Sequence, residues 1–153
     1  MDLILWRHAE AHLIRDGQDD LSRALTTKGE RQAQRMADWL NHRMAHSTRI
    51  LVSPALRCQQ TAKALGRAFK TVPSLSPEAT PDDLLQAARW PAGNEPVLII
   101  GHQPTLGQLS AWLLTGQVGE WTVKKGGVWW FRGRDREGGL QTVLQAVQNA
   151  DNL

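Results

Sequence analysis

Pro96-Val97-Leu98-Ile99-Ile100-Gly101-His102-Gln103-Pro104 decides how this chain is built. Its apolar run has no polar break, which suits a strand buried on both faces. Gly101 to Pro104 then turns into a helix with the stripe Leu106, Leu109, Ser110, Leu113, and Gly116 is placed to end it. Leu3 to Trp6 is a shorter run of the same kind, and Arg49 to Val52 is a further strand. After Val52, Ser53-Pro54 offers an N-cap and a first-turn proline to a helix carrying Cys58, Ala62, Leu65 and Phe69.

The remaining segments fill the spaces between these strands. Ala9 to Arg23 reads as a long polar loop with a turn at Asp16-Gly17. Thr26 or Thr27 caps a helix with the stripe Ala33, Met36, Ala37, Leu40, Met44, and Thr27 with Glu30 fits a capping box. Thr71 to Pro81 is loop, with room for a short strand at its start. Thr80-Pro81-Asp82-Asp83 opens a helix that runs to about Trp90, its acids at the positive end of the dipole. Val128 to Phe131 reads as a strand, and Asp135 to Gly139 as turn chemistry. Leu140, Val143, Leu144 and Val147 have helical spacing, but a hairpin would explain the turn, so the strand reading is preferred. The order of elements predicts a single α/β domain over residues 1–153. Its architecture is a three-layer sandwich with a mostly parallel central sheet and an antiparallel edge hairpin.

Composition narrows the function. With 153 residues, 41% apolar and 22% charged, the chain can bury a core without disulfides or a structural metal. The lone Cys58 forms no internal disulfide and points to a reducing compartment. The N-terminus lacks a basic region and a long apolar run, and no run approaches a membrane span, so the cytoplasm is expected. The net charge of +3 comes from 13 arginines and 5 lysines against 15 acids. That excess suits an anionic ligand. The arginines are spread along the chain, with no basic run of the kind that marks a nucleic-acid partner.

Three strands end in polar residues just before a helix: Arg7-His8, Ser53 to Arg57, and Gly101-His102. In open α/β sheets, ligands bind beyond the carboxyl ends of the strands. Parallel strands would therefore bring two histidines and two arginines together. Arginine forks match phosphate oxygens. A histidine kept neutral by nearby positive charge is a nucleophile near pH 7. The helix after Gln103-Pro104 aims its N-terminus at the same place. Together these residues describe phosphoryl transfer through a phosphohistidine intermediate, with no cofactor or metal.

Leu5-Trp6-Arg7-His8-Ala9-Glu10-Ala11 resembles the opening signature of the histidine phosphatase, or phosphoglycerate mutase-like, superfamily. Leu25 to Gly29, Val52 to Thr61 and Gly101 to Pro104 extend the resemblance in the family's order over about two thirds of the chain. The short length and the Arg-His-Ala opening look most like the small SixA-type phosphohistidine phosphatases. Ala9 stands where the superfamily signature has glycine, a departure that removes no catalytic group. The resemblance implies a phosphoglycerate mutase-like fold and a phosphorylated nucleophile at His8. It implies that Arg7 and Arg57 clamp the phosphoryl group and that His102 contacts it, and Gln103 is expected to bind the phosphate with them. Glu78 lies near where larger members place a proton donor. The substrate expected is phosphohistidine on a protein of phosphorelay or phosphotransferase type. A small phosphorylated metabolite, or a non-catalytic phosphoprotein reader, is the alternative. A monomer is expected.

Other chemistry-bearing residues have plainer roles. His42 and His46 share metal-pair spacing but have no third ligand, and read as a solvated face. His12 reads as a loop histidine, Cys58 as core, and Asp82 and Asp83 as dipole partners. Arg132 to Arg136 reads as an exposed turn.

Overall fold

The computed structural model describes residues 1–153. The strands are β1 (Asp2–Arg7), β2 (Arg49–Val52), β3 (Lys70–Thr71), β4 (Val97–Gly101), β5 (Val128–Arg136) and β6 (Gly139–Gln148). The helices are α1 (Thr27–Asn41), α2 (Leu56–Lys63), α3 (Pro81–Ala88) and α4 (Thr105–Thr115). One sheet has the order β3-β2-β4-β1-β5-β6. Its first four strands are mutually parallel, and β5 and β6 are added antiparallel at the β1 side. This is the three-layer α/β arrangement with an edge hairpin that the element order predicts.

The unbroken apolar runs follow from burial on both faces. Ile4, Trp6, Leu98 and Ile100 point into one core with Met36, Leu40 and Cys58 of α1 and α2. Their neighbours Leu3, Leu5, Val97 and Ile99 point into the opposite core with Leu84, Leu106 and Leu109 of α3 and α4. No helix is long and apolar enough to cross a membrane.

The structure corrects several local expectations. Thr26, not Thr27, caps α1: its hydroxyl accepts from the Gly29 amide at 3.0 Å. The third helical position is therefore Gly29 rather than Glu30, and no capping box forms. Glycine is required there because a Cβ would overlap the Glu10 carbonyl. Helix α2 starts at Leu56, not at Pro54, because Ala55 keeps an extended backbone with a ψ of 136°, while the Ser53 hydroxyl meets the Ala55 amide and His102. It also ends at Lys63, before Leu65 and Phe69, and Gly66 adopts a positive φ of 65° just beyond. The stripe read through Phe69 therefore continues past the helix itself. Arg132 to Arg136 is not a turn but the second half of β5. Arg132 is held there by a two-point ion pair with Asp2, its strand partner, at 2.7 and 2.9 Å. The turn is confined to Glu137-Gly138. Residues 140–147 lie in β6, as the hairpin reading expects. The capping box on α3 pairs Thr80 with Asp83, so Asp83 is a helix-end residue.

Candidate active site

Strand pairing sets the frame of the site. Arg7 lies opposite Gly101 in the β1–β4 ladder, and the His8 amide donates to the Gly101 carbonyl at 3.1 Å. The Ser53 amide donates to the Ile100 carbonyl at 3.2 Å. The three strand ends are thus tied by backbone bonds. The His8 and His102 rings come to 5.3 Å between centroids, tilted by 57°. His8, Arg57 and His102 are all buried, at 7%, 3% and 4% exposure.

The hydrogen bonds fix the state of both rings. His8 Nδ1 lies 2.8 Å from the Ala9 carbonyl oxygen. A carbonyl only accepts, so Nδ1 carries the proton and Nε2 keeps a lone pair. His102 Nδ1 lies 3.4 Å from Arg57 Nη2, which only donates. Its proton is therefore on Nε2, which donates to Ser53 Oγ at 2.8 Å. Burial pushes His8 down to about 3, with smaller contributions from His102, Arg57 and Arg7. Burial, then the Arg57 charge, pushes His102 down to about 4. Both rings are neutral at pH 7, and burial rather than the neighbouring arginines is the larger cause.

The two guanidinium groups are held from behind. Arg7 Nη1 donates to the Val123 carbonyl at 3.0 Å. Arg57 donates to the Asp20 carbonyl at 2.8 Å and to its carboxylate at 3.0 Å. Each arginine keeps a buried Nε–H with no partner. Buried donors are nearly always satisfied, so two orphans on the arginines of this cluster call for an acceptor.

Two residues of this network, Asp20 and Arg23, escaped sequence reading. Asp20 bridges Arg57 at 3.0 Å and Arg23 at 2.9 Å, and pins the loop before α1 onto α2. Arg57 stands in the first turn of α2, where the helix dipole disfavours a cation; that placement was the available signal, but the sequence could not say which acid answers it.

Gln103 is not placed to bind phosphate through its side chain. Its amide is spent inside the protein, donating to the Trp121 carbonyl at 2.9 Å and accepting from the Gly107 amide at 2.7 Å. It thereby positions the segment whose Val123 carbonyl holds Arg7. Gly107 sits against Trp121 so closely that a Cβ would overlap the Trp121 carbonyl. Gly107→Ala is therefore expected to cost about 1–3 kcal/mol from overpacking. A denaturation midpoint equal to wild type would contradict this.

Glu78 makes no side-chain hydrogen bond with the cluster. It lies exposed in a turn and makes no ion pair. Its neighbour Ala79 is tied to the start of α4 by the Thr105 hydroxyl at 2.8 Å. His12, His42 and His46 are exposed. Cys58 is buried and its thiol pushed up to about 12, so it is core and not a nucleophile.

The histidine phosphatase superfamily (branch 1) matches this chain over residues 3–81. The chain belongs to the histidine phosphatase superfamily. Among relatives in that superfamily, the phosphohistidine phosphatase SixA of Escherichia coli is 37% identical over 126 residues, 77% of each chain. A SixA homolog of Haemophilus influenzae is 28% identical over 127 residues, 72% of this chain and 76% of its own. The structure of the protein histidine phosphatase SixA complexed with tungstate superposes with a TM-score of 0.78 at 26% identity, covering 99% of both chains. A phosphoserine phosphatase from Entamoeba histolytica, in complex with phosphoserine, shares the fold with a TM-score of 0.72 at 16% identity, covering 99% of this chain and 98% of its own.

For this superfamily member the depressed histidine values have a stability consequence. Between about pH 6.5 and the folded values near 4 and 3, the unfolded chain binds protons that the native chain does not. Stability is then present above pH 6.5 and is lost as the pH falls through that window. The urea midpoint should drop between pH 6.5 and 5, above the usual carboxylate range. A midpoint constant over that interval would show that the rings are not neutral in the native state.

Proposed function

We propose that this protein is a phosphohistidine phosphatase that removes the phosphoryl group from phosphohistidine on a protein through a covalent phospho-His8 intermediate. The observation that carries this reading is the pair of unpartnered buried Nε–H groups on Arg7 and Arg57, flanking a neutral His8. The likeness to SixA, and the tungstate in its structure, support a tetrahedral oxyanion as the occupant of that cluster.

In the first step His8 Nε2 attacks phosphorus. The nitrogen–phosphorus bond to His8 forms as the bond to the leaving group breaks. The two guanidinium groups take up the charge on the equatorial oxygens. The Ala9 carbonyl accepts from Nδ1–H and stabilises the positive charge that phosphorylation leaves on the ring. In the second step water attacks phosphorus, its proton leaves to solvent, and His8 departs neutral. No step requires a metal, so activity should persist in chelator.

The leaving group decides the substrate class. Asp20, the carboxylate bonded into the cluster, is already committed to Arg57 and Arg23. Glu78 is an exposed turn residue. An alkoxide needs a placed proton donor to leave. An imidazole, with an ordinary value near 6.5, takes its proton from water or a weak acid. The protein should therefore hydrolyse a phosphohistidine protein with a much higher kcat/KM than alkyl phosphate esters. Glu78→Gln should reduce the residual esterase rate more than the phosphohistidine rate. A sugar phosphate turned over with the higher kcat/KM, and lost in Glu78→Gln, would instead make this a small-molecule phosphomonoesterase.

A further inference from the structure

The loop between β1 and α1 carries its two most exposed large apolar side chains at one tip, where Leu13 and Ile14 are 84% and 57% exposed. The tip is not loose chain. Its base is closed by an Ala11–Leu25 bridge and by the His12 amide on the Ala24 carbonyl at 2.9 Å. Arg23, from the far side of the loop, donates to the His12 carbonyl at 2.8 Å and to Asp20 at 2.9 Å. The same Asp20 holds Arg57 at 3.0 Å. The loop that displays the two apolar side chains is therefore built into the candidate active site.

Two adjoining clefts lie between the tip and Arg7. One cleft of about 360 Å³ runs from Arg7 between Lys28 and Lys124. A second, of about 570 Å³, runs beneath Leu13, Ile14 and Arg15. The two share Glu10 and Lys125 in their walls, so they adjoin, and together they are called the trough. Its lining holds five arginines and lysines against two acids, Glu10 and Asp151. Glu10 is itself engaged by the Thr26 hydroxyl at 2.9 Å.

We infer that this trough and the Leu13-Ile14 tip dock the protein that carries the phosphohistidine. The partner surface they fit has acidic residues beside the phosphorylated imidazole and an apolar depression one groove-length away. The charge excess of the trough selects the acidic surface. Two ordered, exposed aliphatic side chains ringed by polar groups supply the apolar anchor. A small metabolite would use only the Arg7 end and leave the tip without a role. This inference rests on the phosphohistidine reading and names the partner chemistry of that same site.

The test compares two substrates on the full chain: a histidine-phosphotransfer domain phosphorylated on its histidine, and phosphoramidate, which carries the same P–N bond without a protein. The variants are Leu13→Asp with Ile14→Asp, and Lys28→Glu with Lys125→Glu. A glutamate at 28 lies in the first turn of α1, where a carboxylate suits the dipole. Each pair should raise KM for the phosphodomain by about tenfold or more, with kcat/KM for phosphoramidate within about twofold of wild type. Raised salt should weaken the wild-type phosphodomain KM and leave the lysine variant nearly flat. Unchanged KM in both variants, or equal losses on both substrates, would overturn the docking role while leaving the phosphatase reading intact. Wild-type hydrolysis of phosphoramidate and esters without any hydrolysis of the phosphodomain would overturn both.

Discussion

Replacing His8 with alanine is expected to abolish turnover, by at least about 10⁴-fold, while the fold persists. His8 Nε2 is the one lone pair in the cluster left free by the hydrogen bonds, since His102 Nδ1 faces Arg57. Cys58 cannot substitute, because its thiol is pushed up to about 12 and is fully buried. The structural cost is small by comparison. The Ala9 carbonyl loses one donor, worth about 1–2 kcal/mol. Brief incubation with a labelled phosphodomain should leave label on the wild type and none on the variant, with circular dichroism unchanged. Appreciable turnover by a folded His8→Ala protein would remove the covalent mechanism.

Arg57→Ala is expected to lower kcat/KM by about a hundredfold, equivalent to ~3 kcal/mol of transition-state stabilisation. The guanidinium orients His102 Nδ1, fastens Asp20, and keeps a buried Nε–H without a partner. Arg57→Lys should recover only part of the loss. One ammonium cannot reach the Asp20 carbonyl at 2.8 Å and its carboxylate at 3.0 Å while also facing the phosphoryl group. The loss should appear in kcat as well as KM, since the charge it meets develops during the reaction. A lysine variant with wild-type kcat/KM would show that the fork geometry is irrelevant.

The sheet and the cluster were legible because one cause produces both. A strand buried on two faces must be apolar throughout, so the point where polarity returns is the point where the strand leaves the core. Arg7-His8, Ser53 and His102 all stand at that point. What the sequence concealed were choices between nearby partners. Thr26 and Thr27 are equally good caps until the Glu10 carbonyl is seen against Gly29. Ser53 looks like the cap of α2 until the extended backbone at Ala55 is seen to delay the helix to Leu56. Arg132 to Arg136 looks like a charged turn because nothing local shows that Asp2 waits across the ladder. Gln103 lies next to His102 in the chain, yet its amide is drawn away by Trp121 and Gly107. The Leu140–Val147 spacing misleads for a related reason: β6 is an edge strand, so its apolar residues are not held to strict alternation.

The Gly101 carbonyl accepting the His8 amide, and the Ile100 carbonyl accepting the Ser53 amide, place the reacting groups inside the ladder of the central strands. Protein amides exchange their hydrogens with solvent only when their bonds open, and central ladder bonds open last. The amides of His8 and Ser53 should thus be among the slowest to take up deuterium, alongside those of β4. Those of the Leu13-Ile14 tip should exchange at once. Only the Leu13-Ile14 tip can be remodelled for a new partner without disturbing the reacting pair, because the base of the same loop supplies the Asp20 that holds Arg57.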